Sequence, residues 1–148
     1  MHGNSGNVKY LSIFSDMIKK YQENCKATLD GYSFTPNETA MMIYMLKNPD
    51  VDTAKEIAQK LNISQSLICR SVDSLTRKGF IDVVKDRSDR RVNHLSLKIT
   101  DDQLKNRLLS MDGSFENLMT DGVEDDDMLA FRRVVERMAS NVGVSMAN

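Results

Sequence analysis

Residues 53–79 read TAKEIAQKLNISQSLICRSVDSLTRKG, and residues 80–99 continue FIDVVKDRSDRRVNHLSLKI. Thr53-Ala54-Lys55-Glu56 has the spacing of a capping box, and Ala54, Ile57, Ala58 and Leu61 follow at helical spacing. Asn62-Ile63 then makes a tight turn, and Ser64 caps a second helix that ends at Gly79 with Ile68, Val72 and Leu75 on its inward stripe. Two short helices joined by so short a turn form a helix-turn-helix. After Gly79 the period changes. Phe80 to Val84 is rich in β-formers, and Leu95, Leu97 and Ile99 alternate with Ser96 and Lys98, which is strand spacing. Between them lies a charged tip, Lys85 to Arg91, so the segment predicts a β-hairpin; Val51-Asp52 offers a short third strand beside it.

Outward from this core the chain is helical on both sides. Val8–Leu29 carries Tyr10, Phe14, Met17, Ile18, Tyr21 and Cys25 on one stripe and stops at Asp30-Gly31. Thr35-Pro36-Asn37-Glu38 combines an N-cap, a first-turn proline and a capping-box glutamate, and opens a helix that runs to Lys47 before Pro49. Thr100-Asp101-Asp102-Gln103 reads as a third capping box. Leu104, Leu108, Met111, Phe115 and Leu118 form the stripe of the next helix, Asp112-Gly113 is a kink or break within it, and Gly122 ends it. Met128, Phe131, Val135, Met138 and Val142 define the last helix, whose acidic start, Glu124 to Asp127, complements the helix dipole. The expected order is α-α-α-α-β-β-α-α: a mainly helical fold with one small hairpin.

With 148 residues, 41% hydrophobic and 28% charged, the chain has the make-up of one globular domain. Its longest apolar run, Ala40 to Leu46, is far short of the ~20 residues of a membrane span, and MHGNSGNVKY lacks the pattern of a signal peptide. Two cysteines make neither a disulfide framework nor a four-thiolate zinc site, and a reducing cytoplasm is expected. With His2 and His94 as the only histidines, no histidine-based metal cluster is expected, nor any cofactor. No phosphate loop or nucleophilic triad is evident, which argues against an enzyme. The net charge of −1 hides an asymmetry. Residues 51–100 hold ten basic and six acidic side chains, a net of +4, whereas residues 101–148 hold five and ten, a net of −5. A basic module in a neutral chain suits a localised anionic partner such as nucleic acid.

The stretch Leu61-Asn62-Ile63-Ser64-Gln65-Ser66, with Arg70, Val72-Asp73, Leu75 and Lys78-Gly79-Phe80-Ile81, resembles the recognition-helix segment of the MarR family of bacterial regulators. The tip Asp86-Arg87-Ser88-Asp89-Arg90-Arg91 resembles that family's wing, where an Asp-x-Arg pattern recurs. The motif resemblance covers residues 35–100, and the flanking helices match in order and length. The family closes its wing with Leu-Thr and a nearby Gly. Here Lys98 follows Leu97 and Thr100 has no Gly after it, which predicts a second wing strand about two residues longer. The resemblance implies a winged helix-turn-helix over residues 35–99. Dimerisation helices over 8–29 and 101–146 would complete a single domain spanning 1–148.

With Ile68, Val72 and Leu75 inward, helical geometry puts Ser66, Arg70, Asp73 and Arg77 on the opposite face. Ser64 and Gln65 sit at the helix N-terminus, which favours a phosphate, and Arg70 matches a guanine edge. Asp73 is expected to hold Arg70 or Arg77. Arg87, Arg90 and Arg91 crowd the wing tip, suited to a minor groove. The resemblance gives Asp89 the role of orienting Arg91. The expected DNA-contacting set is therefore Ser64, Gln65, Ser66, Arg70, Arg77, Arg87, Asp89, Arg90 and Arg91 on double-stranded DNA.

The apolar stripes of the terminal helices call for a homodimer, which also supplies two recognition helices for a two-fold operator; folding back on their own domain is the competing arrangement. The resemblance further implies a pocket for a small aromatic or amphipathic effector, with Tyr10, Phe14, Phe34, Met41 and Met45 as candidate walls. The leading reading is a repressor released by such an effector. The alternatives are a winged-helix module that binds protein, and a regulator that senses oxidants through Cys25 or Cys69. Both cysteines read as structural thiols, and His94, on the polar face of a wing strand, is expected to bind no metal.

Overall fold

A computed structural model describes residues 7–145. Its elements are α1 (Asn7–Thr28), α2 (Pro36–Lys47), α3 (Ala54–Leu61), α4 (Gln65–Arg77), β1 (Ile81–Lys85), β2 (Asn93–Leu97), α5 (Asp102–Thr120) and α6 (Asp125–Asn141). The order is the one expected from periodicity. The chain divides into two compact units, the first ending at Phe115 and the second beginning at Glu116. No helix of the described residues is long and apolar enough to cross a membrane.

Local chemistry sets the element ends. Thr35 and Glu38 close a full capping box on α2. At α3 half of the expected box forms: the Thr53 hydroxyl accepts from the Glu56 N–H. Asn62 takes the left-handed conformation, φ 52°, that lets α3 stop and α4 start with three residues between them. Gly79, φ 83°, does the same between α4 and the hairpin. At α5 the cap is Asp101 rather than Thr100, because the Asp101 carboxylate accepts the Gln103 N–H at 2.9 Å. The expected kink at Asp112-Gly113 is absent, and α5 runs unbroken through both residues. Asp112 instead accepts hydrogen bonds from Tyr21 of α1 and from Lys47 of α2, the latter at 3.0 Å.

The hairpin is antiparallel, with Ile81 opposite Leu97 and Lys85 opposite Asn93. β2 matches β1 residue for residue, and beyond it Lys98 N–H donates to the Phe80 carbonyl. Val51-Asp52 is not a strand. It contributes one backbone bond, from Leu95 N–H to the Asp52 carbonyl, at 2.7 Å.

The core of the first unit joins Met41 and Met42 of α2, Ile57 of α3, Ile68 and Leu75 of α4 and Ile81 of β1 to Leu104, Leu108 and Met111 of α5. Cys25 of α1 and Leu29 just beyond its end belong to it too. The first half of α5 and the end of α1 bury their stripes in the winged helix itself. The distal parts do not: Leu118 is 70% exposed, and Tyr10 and Ile18, expected on the inward stripe of α1, are both 58% exposed.

One part-buried ion pair ties the N-terminus of α2 to the end of α4. Lys78 Nζ lies 2.8 Å from Glu38 Oε2 and also donates to the Ser33 carbonyl. Burial opposes ionisation of Glu38, but hydrogen bonds from Lys78 and Ser74 prevail and hold its pKa below the usual value. Phe34 packs edge-on against Phe80 and stacks on Tyr32 beside this pair.

Candidate nucleic-acid interface

Helix α4 presents the face that its spacing dictates. Ile68, Ser71, Val72 and Leu75 are buried, whereas Ser64, Gln65, Ser66, Arg70, Asp73 and Arg77 are exposed. The Ser64 hydroxyl accepts the Leu67 N–H at 3.2 Å, so it caps the helix and leaves the N–H groups of the first turn facing outward. The expected clasp by Asp73 is not formed. Arg77 reaches the backbone carbonyl of Asp73, at 3.4 Å, and not its carboxylate. Among the described residues Arg70 makes no ion pair, which leaves its guanidinium free for an anion.

The wing is built around two aspartates. Asp86 Oδ1 accepts from Ser88 N–H at 2.8 Å, Ser88 Oγ at 2.7 Å and Asp89 N–H at 2.8 Å, which turns the chain at the tip. Asp89 then takes the fork of Arg91, Nε to Oδ1 at 3.0 Å and Nη2 to Oδ2 at 3.2 Å. The Arg91 guanidinium beside it holds the Asp89 carboxyl below the usual range. A bidentate grip of this kind fixes the plane of the guanidinium while most of the side chain stays in solvent. Arg87 and Arg90 are exposed and unpaired among the described residues.

A cleft of about 410 Å³ joins the two elements, bordered by Lys55 of α3, Gln65, Cys69 and Asp73 of α4, and Arg91 and Asn93 of the wing. Of the expected DNA-contacting residues, Gln65 on the helix and Arg91 on the hairpin thus border one concave surface. Sequence reasoning missed what braces that surface. His94 Nδ1 lies 2.8 Å from Asp52 Oδ2, and His94 Nε2 lies 2.8 Å from Asp86 Oδ2. Asp52 is 42 residues upstream of His94, so no local pattern announces the contact.

The five candidate effector walls are scattered. Met41 is inside the core, Phe34 sits in the aromatic cluster and Tyr10 is on the open face of α1. Phe14 is half-buried. Met45 alone of the five borders a described cleft, of about 340 Å³, with Leu46, Val51, Leu97, Ile99 and Lys105. Cys25 is buried and Cys69 exposed; burial pushes the Cys25 thiol up. Burial and the hydrogen bond to Asp112 likewise raise Tyr21.

A helix-turn-helix followed by a β-hairpin, with a polar outward helix face and an arginine-bearing tip, defines the winged-helix class. Residues 32–92 match the model of the MarR family. The winged helix-turn-helix segment of this chain is therefore similar to that of MarR-family regulators, and the match covers 61 of its 148 residues. It is similar to the transcriptional regulator AdcR of Streptococcus pneumoniae, 36% identical over 87 residues. That match spans 57% of this chain and 60% of AdcR. The fold is also that of Staphylococcus aureus MepR in its DNA complex, with a TM-score of 0.79 at 17% identity, covering 90% of this chain and 97% of MepR. Bordetella bronchiseptica BpsR, whose DNA binding is regulated by 6-hydroxynicotinic acid, gives a TM-score of 0.72 at 14% identity, covering 94% of this chain and 97% of BpsR.

Proposed function

We propose that this protein is a homodimeric repressor that binds a pseudo-palindromic operator in double-stranded DNA and is released by a small aromatic or amphipathic effector. The observation that carries the reading is the shared concave surface, where Gln65 at the start of α4 and the Asp89-held Arg91 of the wing border one cleft beside the exposed Arg70 and Arg77 helix face. Helix α4 enters the major groove, with Arg70 donating to a base edge, Arg77 alongside it, and Ser64, Gln65 and Ser66 meeting a phosphate at the helix start. The wing follows the minor groove, with Arg91 inserted and Arg87 and Arg90 on the backbone. The MepR complex supports the DNA-bound arrangement. The open apolar faces of α1 and of α6 support a dimer, in which residues 8–29 and 101–146 supply the interface around residues 35–99 as one functional domain. The regulation of BpsR by a small aromatic acid supports an effector, and Tyr10, Phe14 and the cleft bordered by Met45 are the surfaces offered to it. An effector regulates by binding the DNA-competent and incompetent dimers unequally.

A salt-titrated binding assay on the upstream region of the protein's own gene, with matched and single-mismatch sites, tests the reading. Arg70→Ala is expected to cost about 1–3 kcal/mol and to relax preference at one base pair per half-site. Arg91→Ala is expected to weaken binding to all sequences and to lower the salt slope by about one counterion per subunit. Equal weakening of all sequences by Arg70→Ala, with a change of base preference by Arg91→Ala, would show the roles exchanged. No effect of either at any salt rejects this face.

A further inference from the structure

The wing is braced at its base by His94, and the geometry of that brace has a chemical consequence. Each ring nitrogen faces a carboxylate oxygen at 2.8 Å, Nδ1 on Asp52 and Nε2 on Asp86. An ionised carboxylate only accepts, so both nitrogens must donate, and a neutral imidazole has one N–H only. The ring that fits this site is the imidazolium. The charged groups facing it are Asp52, from the segment ahead of α3, and Asp86, from the wing tip; β1 sets the uncharged Val84 opposite.

The two acceptors are not bystanders. Asp52 also receives the Leu95 N–H on its backbone carbonyl, so it is docked along β2. Asp86 uses its other oxygen to hold Ser88 and Asp89, and Asp89 holds Arg91. A continuous hydrogen-bonded chain therefore runs Asp52–His94–Asp86–Asp89–Arg91, from the start of the helix-turn-helix to the exposed tip. We propose that His94 is a positioning residue for the wing, a doubly protonated bridge from Asp52 to Asp86, and that DNA binding through Arg91 weakens when the bridge loses a proton. This rests on the regulator reading given above.

The direction of the pH dependence follows. Hydrogen bonds from His94 to Asp86, the stronger influence, and to Asp52 hold the His94 pKa above 6.5, and the same contact with His94 holds Asp86 well below the carboxylate range. The bridge is intact below the raised value and lost as pH rises through it, while Asp86 stays ionised throughout. Once one ring nitrogen becomes an acceptor, it faces a carboxylate across the same short gap, and the tip loses one of its two anchors.

Operator affinity measured from about pH 6 to about pH 8.5 tests this in His94→Gln, His94→Arg and the wild type. The wild type is expected to lose affinity about three- to tenfold across the range, the span of a shift of up to about one pKa unit on binding. His94→Gln is expected to bind at the weak level throughout, with a flat profile. His94→Arg keeps two donors and a fixed charge, and is expected to hold the strong level into alkali. Asp52→Asn is expected to move the wild-type midpoint downward. In an Arg91→Ala background the His94 variants should converge. Wild-type affinity in His94→Gln, or a profile parallel to wild type, overturns the proposal. Should the wild type bind no DNA at any pH, the regulator reading falls and the DNA clause with it. The nitrogen-15 spectrum of the His94 ring in a His2→Gln background then decides the bridge alone: two protonated nitrogens at neutral pH support it and one rejects it.

Discussion

Helices α4 and α6 carry apolar stripes of the same spacing and end in opposite surroundings. In α4, Ile68 and Leu75 are completely buried against α2, α3 and β1, and the outward face is polar. In α6 no residue is buried: Phe131 is 48% and Val134 55% exposed. Periodicity states that a face seeks apolar company without naming the company. α4 finds it within its own chain because the turn at Asn62 and the hairpin after Gly79 return other apolar faces to it. α6 begins after a left-handed Gly122 and shows an apolar surface that suits a second copy. α5 contains both cases in one element, with Leu104, Leu108 and Met111 in the core and Leu118 open.

The sharpest way to break this contrast is to charge the open face. Phe131→Asp with Val134→Asp is expected to convert a dimer to a monomer in sedimentation analysis. Operator affinity should fall about 100-fold or more, because two linked half-sites become one. The winged helix should keep its unfolding transition. A stable dimer with both aspartates present would show that α6 is not the partner surface.

The converse substitution acts on the closed face. Ile68→Ala is expected to cost about 2–5 kcal/mol in denaturant unfolding, the range for emptying a buried aliphatic site. It should leave the oligomeric state unchanged at concentrations where the protein is folded.

A smaller effect is expected at the end of the same helix. Lys78→Met leaves Glu38 buried without its cation, at a cost of about 2–4 kcal/mol; the lower part of the range for buried pairs applies because Lys78 is 31% exposed. The Glu38 pKa is depressed, so the pair's contribution is complete above the unfolded value near 4.5 and is lost as pH falls through the folded one. The difference between wild type and variant should therefore shrink in acid unfolding experiments.

The smallest effect belongs to the thiol on the flank of α4. Cys69→Ser is expected to change stability by less than about 0.5 kcal/mol, as exposed substitutions do. Peroxide should leave operator binding unchanged in wild type and in both Cys25→Ser and Cys69→Ser. Release by peroxide that either substitution prevents would make this a redox switch.

Much of the fold was legible because its signals are local. The Thr35 capping box, the glycines at 31, 79 and 122, and the stripe Ile68-Val72-Leu75 each depend on residues within one or two turns, and each stands where the pattern put it. The outward face of α4 was legible for the same reason, a rotation per residue, whereas the Asp89–Arg91 fork was implied by the resemblance of the wing tip. Less local expectations failed. Asp112-Gly113 looked like a break, but Asp112 is held by Tyr21 and Lys47 from two other helices, and that support outweighs a glycine's cost within a helix. Asp73 had an arginine at helical spacing on either side, yet Arg77 turns to its backbone carbonyl. Met41 and Phe34 are expected as pocket walls, but the packing of α2 against α4 puts Met41 inside the core, and Phe34 lies half-buried against Phe80.

What the sequence determined by itself was the order of elements, their caps and the polarity of each helix face, since backbone geometry repeats every few residues and fixes which side chains lie together. What only the tertiary structure decided was the pairing of distant groups. It placed Glu38 under Lys78, gave Asp112 two partners and brought Asp52 to His94. Such pairs depend on where the chain returns after 40 or more residues, and a contact made by that return is a property of the packed core, which no single stretch of sequence contains.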